Sequence, residues 1–115
     1  MLMLPSDVKI FVARQPVDLR KSIDGLALLT RNVIKENPLS GHLFVFVNKV
    51  GHRVKILFWD RTGYVIWYKR LETARIRLPE EGAASLALEP MELRLLLDGV
   101  GGAARPRRGG SAATL

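Results

Sequence analysis

The chain has 115 residues, 48% hydrophobic and 25% charged, which suffices for one core of ordinary size but not two and is too apolar for a disordered polyelectrolyte. With no cysteine and only His42 and His52, it lacks disulfide scaffolds, thiolate metal sites and cysteine nucleophiles, so neither a metal nor a cofactor is expected. Its 18 Lys and Arg against 11 Asp and Glu leave a net charge of +7, a bias toward polyanionic partners. No apolar run approaches the ~18 residues of a membrane span, and Met1 to Pro5 has no signal-peptide character. The expected setting is the cytoplasm, without membrane contact.

Val8 to Ala13 is a β-branched and aromatic run that predicts a first strand, ended by Gln15-Pro16. From Leu19 the apolar residues Leu19, Ile23, Leu26, Leu29, Val33 and Ile34 draw one stripe along a predicted helix from Leu19 to Lys35, which stops before Asn37-Pro38. Asp18 is the expected N-cap, its carboxylate accepting from free first-turn N–H groups, a contact whose loss typically costs ~1 kcal/mol. Gly25 inside this helix implies close approach of another backbone. Pro38 to Gly41 breaks the chain.

Leu43 to Val47 is apolar without alternation, which predicts a central strand covered on both faces. Asn48 to Gly51 reads as a turn. In the next strand Arg53, Lys55, Leu57 and Trp59 alternate with Val54, Ile56 and Phe58, so one face is apolar and the other starts with two cations. Asp60 to Gly63 has the chemistry of a four-residue hairpin loop, and Tyr64 to Arg70 returns beside it. Leu43 to Arg70 thus reads as a three-strand meander, to which Arg75 to Leu78 is expected to add a fourth, short edge strand with both arginines on one side, followed by a loop over Glu80 to Ser85. Glu89-Pro90 opens a second helix, and Asp98-Gly99 closes it with glycine just past the end. Residues 100–115, rich in Gly, Ala and Arg, read as a flexible basic tail that adds sequence-independent attraction to polyanions.

Charge is concentrated: residues 49–78 hold eight basic and two acidic side chains, whereas residues 79–99 hold one and five. A stretch this basic on a small β-rich surface suits phosphate contacts. Trp59, Tyr64, Trp67 and Tyr68 lie among those cations, and exposed rings there would stack on bases. Arg20 and Lys21, beside the free N–H groups of a first helical turn, suit a phosphate as well. For acid–base chemistry the candidates are His42, His52, Asp18, Asp24 and Asp60, which form no recognised spacing. No Walker loop, dinucleotide fingerprint, serine elbow or acidic transposase triad is present, and no enzyme is expected.

Four blocks carry a family resemblance: Asp18-Leu19-Arg20-Lys21-Ser22-Ile23-Asp24-Gly25-Leu26, then Ser40 to Phe46, then Lys55-Ile56-Leu57-Phe58-Trp59-Asp60 with Gly63, then Lys69-Arg70-Leu71-Glu72. In this order they resemble the TnpB-type accessory proteins, from the second open reading frame, of bacterial insertion sequences of IS family sixty-six. The likeness runs from about Pro5 to the Leu95 to Gly99 ending, with departures at Ala74, where glycine is usual, and at Arg77, where an apolar residue is common. It implies a mobile-element protein that works beside a separate transposase and associates with DNA, unrelated to the RNA-guided nuclease sharing the TnpB name.

The combined expectation is one α+β domain over residues 1–99. A mostly antiparallel sheet of three to five strands carries the long helix on one face, and the short C-terminal helix covers part of the same core. The expected function is a non-enzymatic accessory role in transposition, in which Arg20, Lys21, Arg53, Lys55, Lys69, Arg70, Arg75 and Arg77 bind DNA phosphates. Expected partners are DNA, the element's transposase and its other accessory protein. One alternative is an adaptor that docks on the transposase through the acidic Glu89 to Asp98 helix or the Leu39 to His42 loop. A weaker one is a metal-independent ribonuclease using His42 or His52. The oligomeric state is left open, with Val8 to Ala13 or Arg75 to Leu78 as edges available for pairing across a twofold axis.

Overall fold

A computed structural model describes residues 7–99. The expected basic tail lies outside the described residues. Strand β1 (Ile10–Ala13) is followed by helix α1 (Ile23–Leu29, continued as a π-turn over Thr30–Ile34), β2 (Leu43–Val47), β3 (Arg53–Asp60), β4 (Gly63–Arg70), β5 (Ser85–Leu88) and α2 (Pro90–Leu97). The strands form one sheet in the order β4-β3-β2-β1-β5, with β1 and β2 parallel and the other neighbours antiparallel. Among the described residues no helix is long and apolar enough to cross a membrane.

β2 is central, and all five of its residues are buried, because its two faces feed two different cores. Phe44 and Phe46 point to the side that α1 covers, where they meet Leu26, Ile34 and Leu57. Leu43, Val45 and Val47 point the other way, to Val54, Ile56 and the α2 residues Leu93, Leu96 and Leu97. The two helices therefore cover opposite faces, and the expectation that both share one core is corrected. α1 is the crossover between parallel β1 and β2 and must lie on one face. That leaves Ile10, Val12, Val54 and Ile56 uncovered on the other until α2 arrives.

The first helix is shorter than its stripe predicts, seven α-helical residues plus five in the π-turn. Asp18 does not cap it. The carboxylate instead accepts from the Arg20 backbone N–H at 3.0 Å and pairs with the Arg20 guanidinium at 2.7 Å, which folds residues 18–21 into a turn and postpones the helix to Ser22-Ile23. At the far end the Lys35 N–H donates to the Thr30 carbonyl, five residues back, and Lys35 adopts φ 66°, which stops the helix. Thr30 is fully buried and donates its hydroxyl to the Leu26 carbonyl at 2.9 Å, so it belongs to the core-facing row Leu26, Thr30, Ile34 that an apolar stripe passes over. At Gly25 the nearest neighbour is a side chain and not the second backbone expected. A Cβ there would lie 3.1 Å from the Lys21 Cβ, so its small size admits the Lys21 stem.

Two further expectations are corrected around residues 71–88. Arg75 to Leu78 is not a strand. The chain leaves β4 and runs over the α2 side, burying Leu71 and Ile76, with the Leu71 N–H on the His52 carbonyl and the Ile76 N–H on the Gly51 carbonyl, both at 2.7 Å. Turn carbonyls, not a neighbouring strand, satisfy this segment. The fifth strand is instead Ser85–Leu88, which pairs with β1 so that Ile10 faces Leu88 and Ala13 faces Ser85. β1 is thus interior, and among the described residues the sheet's edges are β4 and β5. The hairpin is tighter than expected as well: Asp60 pairs with Gly63 across a two-residue loop, with Arg61 at φ 48°. α2 follows its signals: Glu89 and Glu92 form a capping box, Pro90 is the first helical residue, and Gly99 takes φ 71° just past Asp98.

Candidate nucleic-acid interface

Strand alternation sorts the basic side chains before any contact is considered. Arg53 and Lys55 share the α1 side of β3 with Leu57. Opposite them on β4 stand Arg70 and Tyr68, in the pairs Arg53–Arg70 and Lys55–Tyr68. Two arginines directly across a strand pair repel one another, an arrangement that folding alone does not favour. Arg70 is compensated by Glu72 at 2.7 Å, whereas Arg53 has no ion-pair partner among the described residues.

Lys55 has a second task. Its ammonium donates to the Leu19 carbonyl at 2.7 Å and the Lys21 carbonyl at 3.3 Å, and it lies 5.9 Å from the Tyr68 ring centroid. It therefore ties the turn carrying Arg20 and Lys21 onto β3. Arg20 in turn holds the Asp18 carboxyl well below the usual carboxylate range, through direct hydrogen bonds, so this exposed pair stays ionised as the pH falls through that range. Between the turn and the sheet lies a groove of about 730 Å³ lined by Arg20, Lys49, Arg53, Lys55 and Tyr68.

Arg75 and Arg77 line a second groove, on the other side of the Asn48–Gly51 turn, with Arg14, Lys49, Glu80 and Glu81. Lys49 borders both grooves, in whose linings cations outnumber the carboxylates of Asp18, Glu80 and Glu81. Lys49 is not among the eight residues expected to bind phosphates, because it sits in a turn; that turn leads into β3, which carries Arg53 and Lys55. Arg14 is otherwise engaged, its guanidinium donating to the Ala83 carbonyl at 2.8 Å and to that of Glu80.

Lys69 stands apart from the other seven candidates. Its neighbour in register is Val54, so it points to the α2 side, where its ammonium donates to the Leu97 carbonyl at 2.8 Å and lies 3.7 Å from Asp98. A cation on the last carbonyls of a helix complements the helix dipole. Lys69→Met is therefore expected to lower stability by about 1–2 kcal/mol. A urea melt checks this, and the salt dependence of any DNA binding should not change.

The aromatic residues divide similarly. Trp67 packs against the α2-side core, and Trp59 meets Tyr64 edge-on at 5.2 Å, which leaves Tyr68, about half exposed, as the ring nearest the cations. The histidines occupy opposite ends of β2. His42 Nδ1 accepts from the Lys9 N–H at 3.0 Å, and His52 Nδ1 lies 3.1 Å from Asn48 Nδ2. At about 3.3 Å per residue, β2 holds them too far apart to act on one phosphate.

The profile of the family described as IS66 Orf2 like protein matches residues 8–106. The chain belongs to the IS66 Orf2 like family. It is 36% identical over 100 residues to the uncharacterized protein y4hO of Sinorhizobium fredii, covering 85% of this chain and 87% of that one. Over 93 residues it is 33% identical to the uncharacterized protein y4jC of the same organism, covering 81% and 80%. No solved structure matches. In this IS66 Orf2 like chain the blocks that carry the resemblance contain the tying contacts: Asp18 with Arg20, Lys55 with the 18–21 turn, Lys69 with α2, and Arg70 with Glu72. Lys49, Arg53, Arg75 and Arg77 lie outside those blocks.

Proposed function

We propose that this IS66 Orf2 like protein is a non-enzymatic DNA-binding accessory factor that assists a separate transposase. The family supports the accessory role in an insertion sequence. The direct reading of DNA rests on one observation above the others: Arg53, facing Arg70 across the strand pair and without an acidic partner among the described residues, stands at a groove it shares with Arg20, Lys49 and Lys55. Arg53, Lys49, Arg75 and Arg77 contact phosphates. Arg20, Lys21, Lys55 and Arg70 extend the same surface, and Tyr68 offers a ring to an unpaired base.

The test is fluorescence anisotropy with a duplex from the parent element's end and a scrambled duplex, across a salt series. Replacing Lys49, Arg53, Arg75 and Arg77 together by alanine should weaken binding to both duplexes and reduce the salt slope by about 3–4, near 0.9 per lost phosphate contact. Unchanged binding by a folded quadruple variant would falsify this surface. A preference for the end duplex that survives higher salt would add base or shape readout.

A second reading, an adaptor that docks on the transposase or on the element's other accessory protein, is favoured by α2. Its outward face exposes Met91 and Leu95, one helical turn apart, 60% and 37% accessible. Absence of DNA binding at low salt, with transposase retained after nuclease treatment and lost in Met91→Lys/Leu95→Lys, would establish it in place of the first.

A further inference from the structure

β4 is an unusual edge strand. It is eight residues long, contains Tyr64-Val65-Ile66-Trp67-Tyr68, and buries none of its residues. β2, at the centre of the sheet, buries every one. Val65 and Tyr68 are 37% and 48% exposed. Long apolar edges are normally blunted by proline, a bulge or a mid-strand charge. β4 has none of these between Tyr64 and Tyr68, its Lys69 and Arg70 standing at the last two positions. The other edge, β5, has only four residues and ends against Glu89-Pro90.

We infer that β4 is a self-pairing edge: two copies of this chain join β4 to β4 in antiparallel register about a twofold axis normal to the sheet. Backbone direction and charge argue for a second copy. The Leu71 N–H donates to the His52 carbonyl, so by antiparallel alternation residues 63, 65, 67 and 69 bond toward β3, and Tyr64, Ile66, Tyr68 and Arg70 direct their N–H and C=O groups outward. A normal twofold keeps each face on its own side, so facing residues must have the same parity. Two registers meet that condition at the strand centre, one placing Ile66 opposite itself and one placing Trp67 opposite itself. In both, Lys69 and Arg70 face residues 62–65 of the second copy and never each other; the first register pairs Tyr64 with Tyr68, Val65 with Trp67 and Ile66 with itself, the second Ile66 with Tyr68 and Trp67 with itself. The strand is thus self-complementary in hydrogen bonding and in the placement of its charges.

The inference does not depend on DNA, and its test uses the full chain alone. Sedimentation equilibrium over a wide concentration series should show the mass rising from the 12.8 kDa monomer toward twice that value. Val65→Lys, which adds a charge at the seam on an exposed side chain, should weaken association about tenfold or more, while Leu39→Lys, in an exposed loop, should not. The chain has no cysteine, so a single introduced thiol reports its own neighbour. Mild oxidation should link Ile66→Cys or Trp67→Cys, according to register, and leave Leu39→Cys unlinked. A monomer at every concentration overturns the inference, as does a dimer that Val65→Lys leaves intact or one in which neither β4 thiol is linked.

Discussion

Gly51→Ala is expected to destabilise the domain by about 3 kcal/mol or more, lowering the melting temperature by about 12 °C or more in a domain of this size. Two independent causes add. Gly51 adopts φ 87°, where a side chain is strained, and a Cβ built there falls on the Ile76 carbonyl oxygen, a backbone atom with little room to retreat. The same contact carries the hydrogen bond from the Ile76 N–H to the Gly51 carbonyl, so relieving the overlap breaks the bond that holds residues 71–78 over the turn. Gly63→Ala is the matched comparison, since a Cβ there meets nothing within 4 Å, and it should change stability by no more than about 0.5 kcal/mol. Urea melts of the two variants check the difference, and equal losses would show that the segment over the turn is not held there.

Phe46→Ala is expected to cost about 3–5 kcal/mol. The ring is fully buried between the sheet and α1, and in register it faces Lys55, the residue that ties the 18–21 turn to β3. Removing it leaves a cavity beneath the part of the fold that positions Arg20 and Lys21. Lys55→Met separates the two effects: it keeps most of the apolar stem and removes both hydrogen bonds, so it should loosen the turn at a cost nearer 1–2 kcal/mol, or about that range. Amide hydrogen exchange at residues 19–22 distinguishes them, because Lys55→Met should raise local exchange there while the sheet stays protected.

Much of the sheet is legible from local pattern. The unbroken Leu43 to Val47 run announces a strand covered on both faces, and the alternation through Arg53 to Trp59 puts the cations on the face opposite Val54 and Ile56. Glu89-Pro90 and Gly99 mark α2 through chemistry confined to a few neighbouring residues. Which face α2 covers depends on contacts between distant elements, and no local signal encodes it. Ser85 to Leu88 is too short for its alternation to stand out, and Arg75 to Leu78 has strand-like composition but finds turn carbonyls before it finds a strand.

The candidate site is legible in the same uneven way. Parity already puts Arg53 and Lys55 on one face of β3 and separates Lys69 from Arg70 on β4. It cannot reveal which charges are engaged. The partners of Lys55 and Lys69 are backbone carbonyls, present on every residue, and only the fold brings those of Leu19 and Leu97 to them.

The position of β1 has a consequence for how the chain assembles. β2, β3 and β4 are joined by short turns and can pair as soon as they are made, but β1 needs partners on both sides: Phe11 faces Phe44 in one neighbour and Ala87 in the other. Its outer hydrogen bonds therefore wait until residues 85–88 have left the ribosome. Local pairing comes early and this long-range closure late. Until then the first strand synthesised is itself an unprotected edge, and the newborn domain is most exposed to mispairing in the interval between completing β4 and completing β5.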